Sequence, residues 1–170
     1  MPDWSPVALN LPECEFQFRK MDGARMVLDP ARERWVVLTP EEWVRLHVVQ
    51  FLIKARSVPR GLIGVEVDLT YEGRRRRADI VVYRSDGSPA LVVECKAPEV
   101  ILGQSVVDQA SRYNYTLRAQ TVMVTNGLVH YVFRFEGDRA VFLPDLPSFA
   151  ELVGGPKAEA AGSRSTEAGR

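Results

Sequence analysis

Apolar residues recur along this chain with two different periods, and the change from one to the other outlines the elements. From Glu41 to about Ala55 the apolar positions Trp43, Val44, Leu46, Val48, Phe51 and Leu52 follow a spacing near the helical period. Thr39-Pro40-Glu41-Glu42 in front of them reads as an N-cap, a proline at the first helical position and an acidic first turn. Pro59-Arg60-Gly61 ends that region, and Leu62 to Thr70 alternates as a strand, with Val65, Val67 and Leu69 toward a core and Glu66 and Asp68 away from it. Two aliphatic runs follow, Ala78 to Tyr83 and Ala90 to Lys96, separated by Arg84-Ser85-Asp86-Gly87-Ser88-Pro89. These are turn residues, so the runs should pair as an antiparallel hairpin. Val107 to Arg118 predicts a second helix, and Thr121 to Thr125 a buried strand that turns at Asn126-Gly127 into Val129 to Phe135. A last strand at Ala140 to Leu143 and a short helix at Pro147 to Leu152 complete the pattern.

Ahead of the helix the pattern is weaker. Short strands are expected at Phe16 to Phe18 and Met26 to Leu28, and a firmer one at Arg34 to Leu38. This divides the chain into a partly ordered extension (1–34), one folded domain (35–152) and a disordered tail (153–170) rich in alanine, glycine, serine and charge. A hydrophobic fraction of 46% supports an ordinary core, and no apolar run reaches the roughly 20 residues that span a bilayer. The N-terminus lacks a signal-peptide pattern, and Cys14 and Cys95 form no disulfide or zinc motif. A cytoplasmic protein with reduced thiols and no membrane partner is expected.

The chemistry concentrates in the predicted hairpin. Asp79 lies on its first strand and Glu94-Cys95-Lys96 on its second. Strand alternation puts Glu94 and Lys96 on one face and Val93 and Cys95 on the other. In a suitable register Asp79 comes beside Glu94, and two such carboxylates repel unless a cation intervenes. Mg²⁺ takes oxygen ligands and keeps several waters, so it suits such a pair, and Lys96 adds a further positive charge. Phosphodiester hydrolysis uses these parts together. A strand-end salt bridge between Lys96 and a carboxylate is the structural alternative.

The chain here resembles the PD-(D/E)xK nuclease superfamily, and more narrowly the N-terminal nuclease domain of type I restriction enzyme R subunits, including small stand-alone proteins of that type. The resemblance runs from about Leu38 to Tyr131 through Thr39-Pro-Glu-Glu-Trp-Val-Arg45, Arg77-Ala-Asp79, Val93-Glu-Cys-Lys-Ala-Pro98, Gln109-Ala-Ser-Arg-Tyr113 and Val124-Thr-Asn-Gly127. It implies an α/β fold with a restriction-endonuclease-like αβββαβ core, a mixed central sheet flanked by helices. It implies Mg²⁺ or Mn²⁺ held by Asp79 and Glu94, with the Cys95 carbonyl completing the shell, and Lys96 acting on the attacking water. Gln109 and Tyr113, four apart on a helix and hence on one face, would face DNA or the metal-bound water. Glu41 matches the helix glutamate that related nucleases place beside the metal, whereas Glu42 suits a capping box with Thr39.

The expected activity is metal-dependent hydrolysis of DNA, endonucleolytic rather than exonucleolytic, in restriction, defence or repair. RNA stays open as a substrate. The alternative is a non-catalytic nucleic-acid-binding or assembly module that retains the fold. No Walker-type phosphate loop occurs, so a motor or specificity function would come from partner chains, and double-strand cutting from a homodimer or from two sequential nicks. The formal net charge of zero argues against strong autonomous DNA binding. Arg74 to Arg77 form a local basic run that reads equally as a DNA-facing edge or as a solvated hairpin end guarding the sheet. His47 in the helix reads as a packing residue, and Glu66 as a paired or exposed strand residue rather than an accessory acid.

Overall fold

The computed structural model describes residues 4–71, 74–103, 108, 118–137 and 139–154, with side chains for all of these except 69–71 and 74–76. The predicted second helix with Gln109 and Tyr113, and the tail from residue 155, lie outside the described residues.

A three-stranded antiparallel sheet comes first: β1 (Phe18–Met21), β2 (Ala24–Asp29) and β3 (Arg34–Val37), in that order. Asp22 and Gly23 both have positive φ (49° and 78°), the geometry that joins two strands through a two-residue turn. The strand expected at Arg34 to Leu38 is therefore an edge of this sheet, paired to β2 with Val36 opposite Val27.

Helix α1 (Pro40–Ala55) follows, with Thr39 Oγ1 accepting from Glu42 N at 3.1 Å. Val44, Val48, Val49 and Leu52 are fully buried, each contributing roughly 1.5–3 kcal/mol by area. His47 is buried as expected: its Nδ1 donates to Trp43 O at 2.9 Å, and burial lowers its pKa despite that bond.

After a short 3₁₀ turn at Arg60–Leu62, the main sheet runs in the order β4 (Ile63–Tyr71), β5 (Arg74–Tyr83), β6 (Pro89–Cys95), β7 (Thr121–Thr125), β8 (His130–Glu136) and β9 (Arg139–Leu143). Only β6 and β7 are parallel, so the sheet is mixed, and the α-β-β-β order followed by a parallel strand is that of the expected core. A short helix α2 (Phe149–Val153), closed by a capping box between Ser148 and Glu151, packs Leu152 into the core.

Residues of β6 and β7 are buried on both faces, which explains their continuous apolar runs. Ile80, Val82, Leu91, Val93, Cys95 and Met123 pack with α1, while Val81, Val92 and Ala119 form a cluster on the other side. The loop after β7 is tied by buried Asn126: Nδ2 donates to Val100 O at 2.9 Å, and Oδ1 accepts from Leu128 N and Val129 N. Gly127, at φ 83°, must be glycine for a second reason. A Cβ there would stand 2.8 Å from Leu9 and 3.2 Å from Val44.

One strand departs from the simple alternation. Val65 packs with the α1 core but Val67 with the opposite cluster, so the two do not share a face as their spacing predicts. Between them Glu66 adopts φ 55°, a left-handed backbone rare for non-glycine residues. Ala78 and Ile80 on the facing strand likewise fall on different sides. The pleat is broken at Glu66 and Asp79 together.

Candidate active site

The hairpin of β5 and β6 brings the predicted residues together. Ile80 pairs with Val93 and Val81 with Val92, so one step further along the ladder Asp79 stands opposite Glu94. Asp79 Oδ2 accepts from the Cys95 backbone N–H at 2.7 Å, which holds its carboxylate across the strand gap. Lys96 Nζ donates to Glu94 Oε1 at 2.6 Å, and Lys96 N donates to Thr125 O at 2.8 Å, fixing the end of β6 against β7. Glu94 is 7% exposed, and Cys95 is fully buried with its thiol toward the α1 core, as alternation requires.

The electrostatics follow from this burial. Asp79 is pushed up to about 7 by desolvation and by the Glu94 charge, with Glu41 adding to both; the Cys95 N–H and Arg45 oppose the shift. Burial pulls the Lys96 ammonium down, but the hydrogen bond and charge of Glu94, helped by Asp79 and Glu41, outweigh it and hold Lys96 above its ordinary value. Burial and the same carboxylates push the Cys95 thiol well up, so it is an inert thiol rather than a nucleophile.

The sign of the resulting pH dependence is fixed. A carboxyl whose folded pKa lies near 7 against an ordinary 3.8 favours the folded state fully below about 3.8, and that contribution is lost as pH rises through about 7. Metal-free protein should therefore lose stability over that window relative to Asp79→Asn, measured as the difference in urea midpoints. Parallel pH profiles for the two proteins would contradict the coupling.

Glu41 and Glu42 separate in space. The exposed Glu41 carboxylate adds its charge to the field at Asp79, Cys95 and Lys96. The Glu42 carboxylate instead pairs with Arg45, and with Arg32 at 3.6 Å. Thr39 thus caps the Glu42 backbone while the Glu42 side chain serves an ion-pair network, in place of the reciprocal capping box.

That network escaped sequence reasoning. Asp29, fully buried, accepts from Ala31 N at 2.8 Å and Arg32 N at 3.0 Å through Oδ1, and from Arg32 Nε at 2.6 Å through Oδ2; Arg45 Nη1 lies 3.8 Å from it. Arg32 reaches on to Glu66, which Arg77 (3.2 Å) and Arg34 (3.5 Å) also contact. Burial raises the Glu66 pKa, but the Arg32 hydrogen bond and the charges of Arg45, Arg32 and Arg77 overcome this and lower it. Glu66 is accordingly a paired strand residue. Asp29-Pro30 as a turn opener was the available signal, though nothing local marks the residue as buried. Of the Arg74 to Arg77 run, only the Arg77 side chain falls among those described.

Among the described residues, no three histidine, cysteine, aspartate or glutamate side chains gather as a metal-binding group, and no helix is long and apolar enough to cross a membrane.

A mixed six-stranded sheet that brings Asp79, Glu94 and Lys96 to the end of its central hairpin defines a nuclease-like α/β domain. Residues 40–147 match the family described as the type I restriction enzyme R protein N terminus (HSDR_N), and the chain belongs to that family. Among solved structures, a fragment of a candidate HsdR subunit of a type I restriction enzyme from Vibrio vulnificus YJ016 matches with a TM-score of 0.54 and 23% identity over 69% of this chain. The match spans 25% of that larger chain, and the likeness is one of fold. A candidate nuclease of the DUF820 group from Anabaena variabilis ATCC 29413 aligns with a TM-score of 0.42 and 15% identity, over 82% of this chain and 86% of that one. No curated protein matches.

Proposed function

We propose that this domain is a metal-dependent deoxyribonuclease that cleaves phosphodiester bonds endonucleolytically in restriction, defence or repair. The observation that carries the reading is the pairing of half-buried Asp79 with Glu94 beside Lys96, with Asp79 raised to about 7 by burial and by its neighbour. Structural carboxylates are seldom left in mutual repulsion in a partly buried place. Functional sites use this arrangement.

The donor set fits Mg²⁺ or Mn²⁺: two carboxylates from adjacent strands, the Cys95 carbonyl as a further oxygen, and waters for the remainder. When bound, such an ion supplies charge stabilisation and lowers the pKa of bound water. The chain's own groups do the rest. Asp79 is oriented by the Cys95 N–H, Glu94 is held by Lys96, and the Lys96 ammonium, kept protonated by its carboxylate neighbours, donates hydrogen bonds to an anionic phosphate. Glu41 adds negative charge from the helix end, and Gln109 and Tyr113 are assigned to the same site by the family resemblance alone.

Supercoiled plasmid, linear duplex, single-stranded DNA and RNA incubated with Mg²⁺ and then Mn²⁺ test this. Cleavage of DNA, together with a metal-induced rise in Tm that Asp79→Ala abolishes, is the expected result. Absence of both would leave the binding or assembly module as the function. Partner chains, in particular a motor and a specificity subunit, belong to the proposal at the level of the longer family members.

A further inference from the structure

We propose that Arg34 and Arg77, gathered by Glu66, form a phosphate-binding site that holds the nucleic-acid backbone next to the Asp79–Glu94 pair. This rests on the nuclease reading and adds to it a substrate contact from residues 18–37, which precede the region shared with the family.

Charge and geometry carry the argument. Four guanidiniums, Arg32, Arg34, Arg45 and Arg77, meet three carboxylates in this cluster, Asp29, Glu42 and Glu66, and Glu66 is shared by Arg32, Arg34 and Arg77. One positive charge is left unmatched. The two arginines come from different sheets, Arg34 from β3 and Arg77 from β5, and their side chains are 61% and 59% exposed, whereas Glu66 is 28% exposed. Each guanidinium carries five N–H donors, far more than a shared carboxylate can accept. The surplus donors face solvent, and phosphate oxygens match them in shape and charge.

Glu66 acts here as an organiser. By engaging both long side chains it removes part of the rotamer freedom that a phosphate would otherwise have to restrict on binding. Its left-handed backbone (φ 55°) is the kind of local cost that persists where surrounding contacts over-determine it. The position also suits a substrate contact. Val65 pairs with Ile80 and Val67 with Ala78, so Glu66 lies at the level of Asp79 on the neighbouring strand.

The test is equilibrium binding of a fluorescent DNA duplex in Ca²⁺ across a salt series, for wild type, Arg34→Ala/Arg77→Ala, the charge-conserving Arg34→Lys/Arg77→Lys, and a charge-matched control, Lys54→Ala/Arg139→Ala, at exposed positions in the last turn of α1 and on β9 at the far edge of the main sheet. The alanine pair should weaken binding roughly tenfold and reduce the slope of log K against log salt by about 1–2, since each neutralised phosphate contributes about 0.9. The lysine pair should restore most of the slope, the control should change little, and all three variants should share the wild-type Tm. Equal affinity and slope for wild type and the alanine pair would overturn the clasp while leaving plasmid cleavage, and so the nuclease reading, untouched. An equal loss in the control would reduce the effect to bulk charge and overturn it as well. Wild type that neither binds the duplex nor cleaves plasmid would overturn both.

Discussion

Lys96→Ala should lower the plasmid-cleavage rate by about 10²–10³-fold, the usual cost of deleting a positioned charge or donor at a reacting phosphate. The side chain is held in place by its 2.6 Å hydrogen bond to Glu94, and burial is overcome by carboxylate charge so that the ammonium stays protonated. The loss should fall on kcat more than on KM, because an interaction made chiefly with developing charge is absent from the ground state. Fold stability should change little, since Lys96 is a partly exposed strand-end residue. Measured on supercoiled plasmid under saturating metal, a loss of less than about threefold would reduce the Glu94–Lys96 pair to an ordinary strand-end ion pair.

Asp29→Ala should produce the largest loss of stability, about 3–5 kcal/mol, by stripping one partner from a buried ionic network. Asp29 is fully buried and supports four things at once: two backbone N–H groups of the β2–β3 turn, the Arg32 guanidinium, and the buried Arg45. Without it, Arg32 and Arg45 keep their positive charges in a confined space and only Glu42 and Glu66 remain to balance them. Asp29→Asn, which keeps hydrogen-bonding capacity at the turn but removes the charge, should fall between the variant and wild type. Urea unfolding reads both effects. A cost under about 1 kcal/mol for Asp29→Ala would mean that water or side-chain rearrangement replaces the carboxylate.

The two variants also separate the layers of the molecule. Lys96 belongs to the hairpin that the chain's own pattern announces, whereas Asp29 belongs to a contact between the small sheet, α1 and β4. The Asp79 charge acts on Lys96, and Arg45, which lies beside Asp29, opposes the rise of the Asp79 pKa.

Local patterning accounts for why so much of the fold was legible. The Asp-Gly turn between two aliphatic runs specified the β5–β6 hairpin, and strand alternation then placed Glu94 and Lys96 opposite Cys95. Thr39-Pro40 marked the start of α1 because capping and fixed φ act within one helical turn. The small sheet was harder to read. β1 is exposed throughout and β3 is only half-buried, so their residues carry no clean apolar alternation, and the Asp22-Gly23 turn stood between runs too weak to announce a hairpin.

The sequence by itself determined the order of the elements, the hairpin that carries Asp79 and Glu94, and the lysine two residues beyond. These depend on interactions between residues close along the chain or on a periodicity that burial imposes within one element. Only the tertiary structure decided that the Glu42 side chain is taken up by Arg45 and Arg32, that Asp29 is buried, that β4 switches faces at Glu66, and that Arg34 and Arg77 meet on one carboxylate. Arg32 and Glu66 are 34 residues apart, and nothing in the composition around either one selects the other. Such pairs form only when register and packing have already set the distance between separate elements, and burial then forces each charge to find a partner.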